Sequence, residues 1–344
     1  MNIYFRTNFN SQLGIGHLSR TYNLYCELKK THACKIIIDK KPKNIPFFSN
    51  DKEFIFLYHK KKFVSENNDA SLFIKKIFRT KKNIIIVDDY RLGERWEKKI
   101  SPYCHKIIAI EDFINKKHNV DILVNTKPKL TNVDVKTLKI IKSNNKKNTK
   151  LLLGKKYSIT NEFFNMKHIF KKSKHLTLTF YNGGSGSILI FEKIINFILK
   201  KKKKIIINLV CGPLAKNTDL VRANFKRYRN VRIINDYNSF LRTLLSTNLF
   251  VGSCGIISFE LAKICLPSIL LILNKNQEAD QNEFKEIGHH FVLKKEDLKD
   301  FKKFSLLVML CLNNFERIKK IMRLSNYNKS TDGKKLIIKS ILEK

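Results

Sequence analysis

The feature that most constrains the fold of this chain is the alternation of short, β-branched apolar runs with longer segments of helical period. Many of these runs are continuously apolar, as in strands of a parallel sheet that helices cover on both faces. Between them, residues 18–29 place Leu18, Tyr22, Tyr25 and Leu28 on one stripe of a helix. The alternation predicts a doubly wound α/β fold. The predicted strands are residues 2–5, 35–39, 54–57, 83–87, 106–110, 176–180, 204–210, 231–234, 249–251 and 268–273.

The length of 344 residues predicts two domains at about 150 residues each. A polar stretch at 142–150 interrupts the alternation, and residues 157–174 have the pattern of a helical connection. We therefore predict domains at 1–150 and 151–344, with the last helix packing back on the first domain. Each is expected to be Rossmann-like, the two facing each other across a cleft at the carboxyl ends of their strands.

The charge balance excludes some functions. Lys and Arg number 68 against 29 Asp and Glu, a net charge of +39, but the lysines are spread along the whole chain. A nucleic-acid-binding protein usually concentrates arginine on one face, so we expect no nucleic-acid partner. The seven cysteines form no CxxC pair, and no apolar run is long enough to span a membrane. These features predict a cytoplasmic protein with no membrane partner, and we expect it to be a monomer.

The first motif that could carry chemistry is Gly14-Ile15-Gly16-His17, between the first strand and the first helix. Gly14 and Gly16 allow the backbone to approach a ligand, and the helix N-terminus favours anions. His17 can act as a base near neutral pH. The alternative is a helix-capping or merely exposed histidine.

Two more glycine loops follow strands in the second half of the chain, and both precede helices. Unpaired backbone N–H groups at such places can bind a pyrophosphate. The chain lacks GxxxxGK[ST], which argues against a P-loop ATPase. The candidate residues are Asn182, Gly183, Gly184 and Ser185 in one loop and Gly252, Ser253 and Gly255 in the other.

Polar side chains at other strand ends complete the candidate site. Glu260 could hold ribose hydroxyls, and Asn276 and Gln277 could bind sugar hydroxyls or amides. An exposed helix glutamate and a plain loop are the respective alternatives. Asp88 could orient a base, while Tyr90 could stack or donate a hydrogen bond. The acids at 111–112 follow another strand, but no ligand spacing fixes a metal, so we predict neither metal nor cofactor.

The order of these motifs resembles a known family. FRTNFNSQLGIGHLSR at 5–20 is similar to FRxDxSxxIGxGHxxR, and IVDDYRLGERWE at 86–97 to VVDHYxLDxxWE. NGGSGS at 182–187 and VGSCGIISFELAKICLPSILLILNKNQ at 251–277 resemble the GGSD loop and the GxGGSTxWExxxxGLPSLxIxLxxNQ run. The family is the UDP-2,4-diacetamido-2,4,6-trideoxy-β-L-altropyranose hydrolases of pseudaminic acid biosynthesis, and the resemblance covers essentially the whole chain.

The resemblance implies a glycosyltransferase-B fold and metal-independent, inverting cleavage of the glycosyl C1–O bond, which releases UDP and the free sugar. It implies that His17 activates the water and that Tyr90 helps to position substrate. It further implies that Glu260 holds the ribose and that Asn276 and Gln277 border the sugar and pyrophosphate. Arg20, the last residue of the first motif, is a further substrate-binding candidate.

Four positions depart from the family pattern and leave the exact sugar open. Asn8 replaces an aspartate, Asp89 a histidine, Asn161 an arginine and Ile256 a serine. The changes at Asn8 and Ile256 also motivate one alternative, a sugar-nucleotide-binding protein without turnover. The other alternative is a glycosyltransferase of the same fold that uses a UDP-sugar donor.

Overall fold

The computed structural model describes residues 1–9, 14–41, 51–58, 63–77, 82–166, 175–202, 204–273, 275–324 and 332–343. The chain divides into two compact units. Unit 1 comprises residues 1–9, 17–159 and 331–344, and unit 2 comprises residues 10–16 and 160–330. The alternating pattern of the sequence appears as one parallel sheet in each unit.

Unit 1 contains a parallel sheet with the strand order β3-β2-β1-β4-β5-β6-β7. Its strands are β1 Asn2–Thr7, β2 Ala33–Ile38, β3 Phe54–Phe56, β4 Ile84–Asp88, β5 Lys106–Ile110, β6 Ile122–Asn125 and β7 Lys150–Leu153. The helices within this part of the chain are α1 Gly16–Leu28, α2 Glu66–Lys76, α3 Glu94–Ile100 and α4 Val135–Ser143.

Unit 2 contains the sheet β10-β9-β8-β11-β12-β13, also parallel. Its strands are β8 Leu176–Tyr181, β9 Ile205–Val210, β10 Val231–Ile234, β11 Leu249–Ser253, β12 Ser268–Ile272 and β13 Phe291–Lys294. Its helices are α5 Glu192–Lys201, α6 Thr218–Phe225, α7 Tyr237–Leu244, α8 Ile256–Lys263, α9 Lys275–Glu278, α10 Gln281–Gly288, α11 Phe301–Asn313 and α12 Phe315–Met322.

The last helix, α13 Gly333–Leu342, belongs to unit 1. Its Ile337 and Ile341 are fully buried in one core cluster with Ile3 and Phe5 of β1. The opposite face of the sheet has a separate core that includes Tyr4 of β1. Burial on both faces explains why the strand runs are continuously apolar. In the described parts of the chain, no helix is long and apolar enough to cross a membrane.

All ten predicted strands are confirmed to within a residue or two at their ends, and the two Rossmann-like sheets confirm the predicted fold class. The units divide after Ile159 rather than after residue 150, because β7 pairs with β6 in the sheet of unit 1. The helical connection at 157–174 differs as well. In its described part, residues 157–166, there is no α-helix but only a 3₁₀ turn at Glu162–Asn165 and the last residue of another at Lys155–Tyr157. Residues 167–174 lie outside the described part of the structure.

The strand order reverses at one point in each sheet. The point lies between β1 and β4 in unit 1 and between β8 and β11 in unit 2. Ligands of open α/β sheets bind outside the carboxyl ends of the strands at such points. His17, Asp88 and Tyr90 follow this rule in unit 1, because Asp88 ends β4 and His17 lies in the helix after β1.

Candidate functional site

His17 lies in the first turn of α1 with its side chain only 7% exposed. Its Nδ1 is 2.5 Å from Oδ1 of Asp88. Arg20, one turn further along α1, donates two hydrogen bonds to the same carboxylate at 2.6 and 2.7 Å. His17 is therefore not an exposed histidine, and Asp88 holds its ring as the sequence predicted that a carboxylate could.

The contacts of Asp88 determine which nitrogen of His17 carries the proton. Burial raises the pKa of Asp88, but Arg20 and His17 outweigh this effect and lower it below its usual range. Asp88 is therefore an acceptor, and its 2.5 Å contact with Nδ1, much shorter than the 3.2 Å between Nδ1 and Nη2 of Arg20, requires a proton on Nδ1. Nε2 of the neutral ring is then the acceptor, which is the arrangement of a histidine that serves as general base.

Tyr90 lies beside His17 and completes a cluster with Asp88 and Arg20, called the His17 cluster below. Its ring lies edge-on to the His17 ring, with centroids 4.2 Å apart and an interplanar angle of 86°. Its hydroxyl donates to Oδ2 of Asp112, a residue just beyond β5. The sequence indicated Asp112 only as one of several acids at strand ends. The pairing of β4 with β5 could have suggested that it meets Tyr90.

Arg20, which we predicted to bind substrate, forms hydrogen bonds with two carboxylates of unit 1. Its guanidinium also donates to both oxygens of Asp112, at 3.0 and 3.2 Å, and the residue is buried. Arg20 thus links Asp88 to Asp112 and fixes the carboxylates behind His17 and Tyr90. A direct contact between Arg20 and substrate stays a prediction.

The two glycine loops of unit 2 lie next to each other, because they follow the neighbouring strands β8 and β11. A Cβ atom on Gly183 would lie 3.2 Å from Oγ of Ser253 in the other loop, and Gly183 has a φ of +69°. At Gly252 a Cβ would lie only 2.2 Å from the carbonyl oxygen of Tyr181, so no other residue fits. The backbone of each loop therefore lies so close to neighbouring atoms that there is little or no room for a side chain at these glycines.

The segment that contains Gly14 and Gly16 packs on the first of these loops within unit 2. A Cβ on Gly184 would lie 2.3 Å from Cγ1 of Ile15, and one on Gly14 would lie 3.6 Å from Oγ of Ser185. Gly16 is exposed and begins α1. Asn182 stabilises the same loop, since its side-chain amide donates to the carbonyl of Ser187 at 2.9 Å.

The loop at 252–255 ends at the N-terminus of α8, where Gly255 is the capping residue. Gln277 holds this loop from the side: its Nε2 donates to the carbonyl of Cys254 at 2.8 Å, and its Oε1 accepts from the amide of Leu273. Gln277 therefore supports the loop, and its predicted contact with sugar and pyrophosphate is untested. Asn276 lies in α9, and its side chain is outside the described part of the structure.

Glu260 is buried on α8 and is not an exposed helix glutamate. Its Oε1 accepts a hydrogen bond from the amide of Asn161 at 3.2 Å. Burial raises the pKa of Glu260 to about 7, although the Asn161 amide and Lys263 act in the opposite direction. A buried carboxylate with this pKa is a functional-site candidate, because burial without a strong partner is costly.

Asp89 belongs to a buried ion network beside the His17 cluster. Arg6, which is fully buried, contacts Asp39 and Asp69 at 2.6 Å and lies 3.8 Å from Asp89. Arg91 donates to Asp39 and Asp89 at 2.6–2.9 Å. The aspartate at position 89 thus completes a charge network. In the described residues, no group of three or more His, Cys, Asp or Glu side chains is placed to hold a metal ion.

We expect Asp69→Asn to destabilise unit 1 by about 3 kcal/mol, the cost of breaking a buried ion pair. Asp69 accepts hydrogen bonds from Arg6, Tyr58 and Trp96, and the change leaves Arg6 with less compensating charge. Trp96 is the only tryptophan, so urea unfolding followed by its fluorescence reports on this unit. Glu94→Gln, which removes a surface pair with Lys98, is the control and should cost under about 0.5 kcal/mol. Equal midpoints for the two variants would contradict the expectation.

Comparison with known proteins gives the fold. No protein-family model matches the chain. The uncharacterized protein MJ1062 of Methanocaldococcus jannaschii is 27% identical over 362 residues, covering 100% of this chain and 70% of that protein.

Among solved structures, MurG of Acinetobacter baumannii aligns with a TM-score of 0.59 at 10% identity, over 99% of both chains. UDP-GlcNAc 2-epimerase of Neisseria meningitidis, solved with UDP-GlcNAc, aligns with a TM-score of 0.58 at 12% identity over 100% of both chains. The pneumococcal O-GlcNAc transferase GtfA, solved with UDP and GlcNAc, gives 0.57 at 8% identity, over 100% of this chain and 99% of that one. These similarities show a two-unit α/β fold of glycosyltransferase-B type.

Proposed function

We propose that this protein is a UDP-sugar hydrolase that releases UDP and 2,4-diacetamido-2,4,6-trideoxy-L-altropyranose in pseudaminic acid biosynthesis. The observation that carries the proposal is the His17–Asp88 pair at 2.5 Å, which leaves Nε2 of His17 as a proton acceptor. The motif order supports the substrate, and the structural neighbours that were solved with UDP or a UDP-sugar support the nucleotide.

The reaction needs one base and one site for the leaving group. His17 removes a proton from water, the water oxygen bonds to C1 of the sugar, and the C1–O electron pair leaves with UDP. Attack opposite the leaving group inverts C1. Proton transfer of this kind contributes about 10²–10⁴-fold to the rate.

Unit 2 supplies the nucleotide site in this proposal. Backbone N–H groups of the loops at 182–187 and 252–255 stabilise the negative charge that develops on the diphosphate. Glu260 accepts hydrogen bonds from the ribose hydroxyls, and Gln277 keeps the second loop in place through the carbonyl of Cys254. Residues at 8, 89, 161 and 256 differ from the family pattern, and the sugar substituents are the part of the proposal that these differences affect most.

A glycosyltransferase is the second candidate, because one of the structural neighbours, GtfA, is an O-GlcNAc transferase. In that reaction a hydroxyl of an acceptor sugar takes the place of water. Release of UDP from a UDP-sugar in the absence of any acceptor distinguishes the two reactions, since a transferase would leave the donor largely intact.

An NMR time course with the diacetamido UDP-sugar tests the proposal directly. We expect the anomeric signal of the substrate to decline as UDP and a free sugar of inverted anomeric configuration appear together. UDP-GlcNAc serves as the comparison substrate and should be consumed more slowly. Failure to release UDP from either compound would exclude the hydrolase.

A further inference from the structure

The hydroxyl of Tyr90 has its single proton engaged within the protein. A phenol carries one donor proton, and in Tyr90 that proton is donated to Oδ2 of Asp112. Burial and the negative charge of Asp112 raise the pKa of Tyr90 well above its usual value, so the group stays a neutral phenol. Burial also raises the pKa of Asp112, but the charge of Arg20 and the hydrogen bonds from Tyr90 and Arg20 outweigh it and hold that pKa at about 2. Tyr90 therefore offers a ligand only its oxygen lone pairs.

His17, like Tyr90, offers a ligand only a hydrogen-bond acceptor. Its Nδ1 proton is donated to Asp88, which leaves Nε2 as an acceptor. Arg20 holds both carboxylates, with bonds of 2.6 and 2.7 Å to Asp88 and of 3.0 and 3.2 Å to Asp112. The two rings lie 4.2 Å apart, centroid to centroid. One buried arginine thus fixes two neighbouring aromatic side chains as hydrogen-bond acceptors.

Two neighbouring hydrogen-bond acceptors, Nε2 of His17 and the hydroxyl oxygen of Tyr90, suit a ligand that donates two protons. Water has two O–H groups, and when both are held, a lone pair of its oxygen is free for attack. A Tyr90 that could donate would instead bind this lone pair and hold the water in the wrong orientation. The identity of the acceptor pair therefore matters for the proposed reaction.

We propose that Asp112 is a positioning residue that fixes Tyr90 as a hydrogen-bond acceptor, so that Tyr90 and His17 together bind the two protons of the attacking water. This inference rests on the proposed hydrolysis. His17 takes one proton as the water oxygen bonds to C1 and UDP departs with the electron pair. The other proton stays on the new hydroxyl group, held by the Tyr90 oxygen. Tyr90 neither gains nor loses a proton.

Two substitutions test the proposal by kinetics. Tyr90→Phe keeps the ring beside His17 and Phe113 but removes the acceptor oxygen. Asp112→Asn places an amide N–H where a carboxylate oxygen accepted the phenol proton, which turns the hydroxyl outward as a donor. We expect each change to lower kcat about 10–100-fold, the effect of one lost hydrogen bond in the transition state, with UDP affinity unchanged. The double variant should be no slower than the slower single variant, because both changes remove the same contact.

Tyr103→Phe is the matched control, since Tyr103 lies in the same unit in the 3₁₀ turn Ser101–Tyr103 and should keep the wild-type rate. A ¹H NMR measurement gives a second readout that needs no turnover. The wild-type protein and Tyr103→Phe should show a downfield, slowly exchanging hydroxyl proton that Tyr90→Phe and Asp112→Asn both lack.

The outcomes separate this proposal from the proposed function. A wild-type rate in Tyr90→Phe, a double variant whose losses multiply, or absence of the downfield proton from the wild-type spectrum would overturn this inference alone. Wild-type protein that shows the proton but releases no UDP from the diacetamido UDP-sugar would overturn the proposed hydrolysis, and this inference with it.

Discussion

His17→Ala is expected to lower kcat for UDP-sugar hydrolysis by about 10²–10⁴-fold, the usual contribution of a general base. The variant removes Nε2 of His17, the acceptor nitrogen that results from the contact of Nδ1 with Asp88, whereas the glycine loops of unit 2 keep their backbone geometry. UDP affinity should therefore remain within a factor of about two, which corresponds to less than 0.5 kcal/mol. Steady-state kinetics and calorimetric titration with UDP measure the two quantities.

His105→Ala provides the matched control for this prediction. His105 is exposed in the same unit, and its backbone amide, which donates to the carbonyl of Asn83, is unaffected by the change. The control should keep the wild-type kcat. A His17→Ala variant as fast as His105→Ala would remove His17 from the mechanism and leave the site without a base.

Glu260→Gln is expected to have opposite effects on binding and on stability. If Glu260 holds the ribose, the change replaces charge-assisted hydrogen bonds by neutral ones and weakens UDP binding about 10–100-fold. It should at the same time stabilise the unliganded protein above pH 7. A residue kept for binding at a cost in stability is common in functional sites.

The sign of the stability effect follows from the pKa of Glu260. Burial raises this pKa from about 4.5 in the unfolded chain to about 7 in the folded protein. Between these pH values the folded state binds more protons, so the free energy of unfolding falls as the pH rises through this interval. Glutamine has no proton to lose, and the variant should lack this decline. At pH 8 the gain is about 3 kcal/mol, because the folded and unfolded pKa values differ by about 2.5 units and one pKa unit corresponds to ~1.4 kcal/mol.

Scanning calorimetry at pH 5 and pH 8 tests the expectation. The melting temperature of Glu260→Gln should exceed that of the wild type by about 6–12 °C at pH 8 and by much less at pH 5. Glu286→Gln, at an exposed position of α10 in the same unit, controls for the loss of one negative charge. A variant that melts like the wild type at both pH values would show that Glu260 is already solvated or paired.

The sequence predicted most of the sheet architecture because buried parallel strands have a simple signature, the continuous apolar run. The strands β6 Ile122–Asn125, β7 Lys150–Leu153 and β13 Phe291–Lys294 were not predicted. β7 and β13 lie at the edges of their sheets with one buried residue each, so they lack the continuously buried run that marks an inner strand. The domain boundary depended on β7, since a strand that joins the first sheet moves the end of unit 1 beyond residue 150.

The site could be predicted as residue types but not as pairs. The glycine spacing indicated His17 as a candidate, and the carboxyl end of β4 indicated Asp88 and Tyr90. That Asp88 would bind Nδ1 of His17, and that Arg20 would bridge Asp88 to Asp112, depends on rotamers and on the approach of α1 to β4 and β5. Such details arise from packing, which cannot be read from the pattern of residue types along the chain.

The position of α13 has a consequence for biosynthesis. Ile337 and Ile341 complete the core around β1, yet the ribosome adds them only after all of unit 2 has been made. Domains of large proteins often fold one by one as the chain emerges. Unit 1 therefore remains incompletely folded while unit 2 is synthesised, because the apolar surface that Ile337 and Ile341 cover is still exposed. A nonsense mutation between residues 324 and 333 would thus damage the fold at the opposite end of the polypeptide, although every strand of both sheets would still be translated.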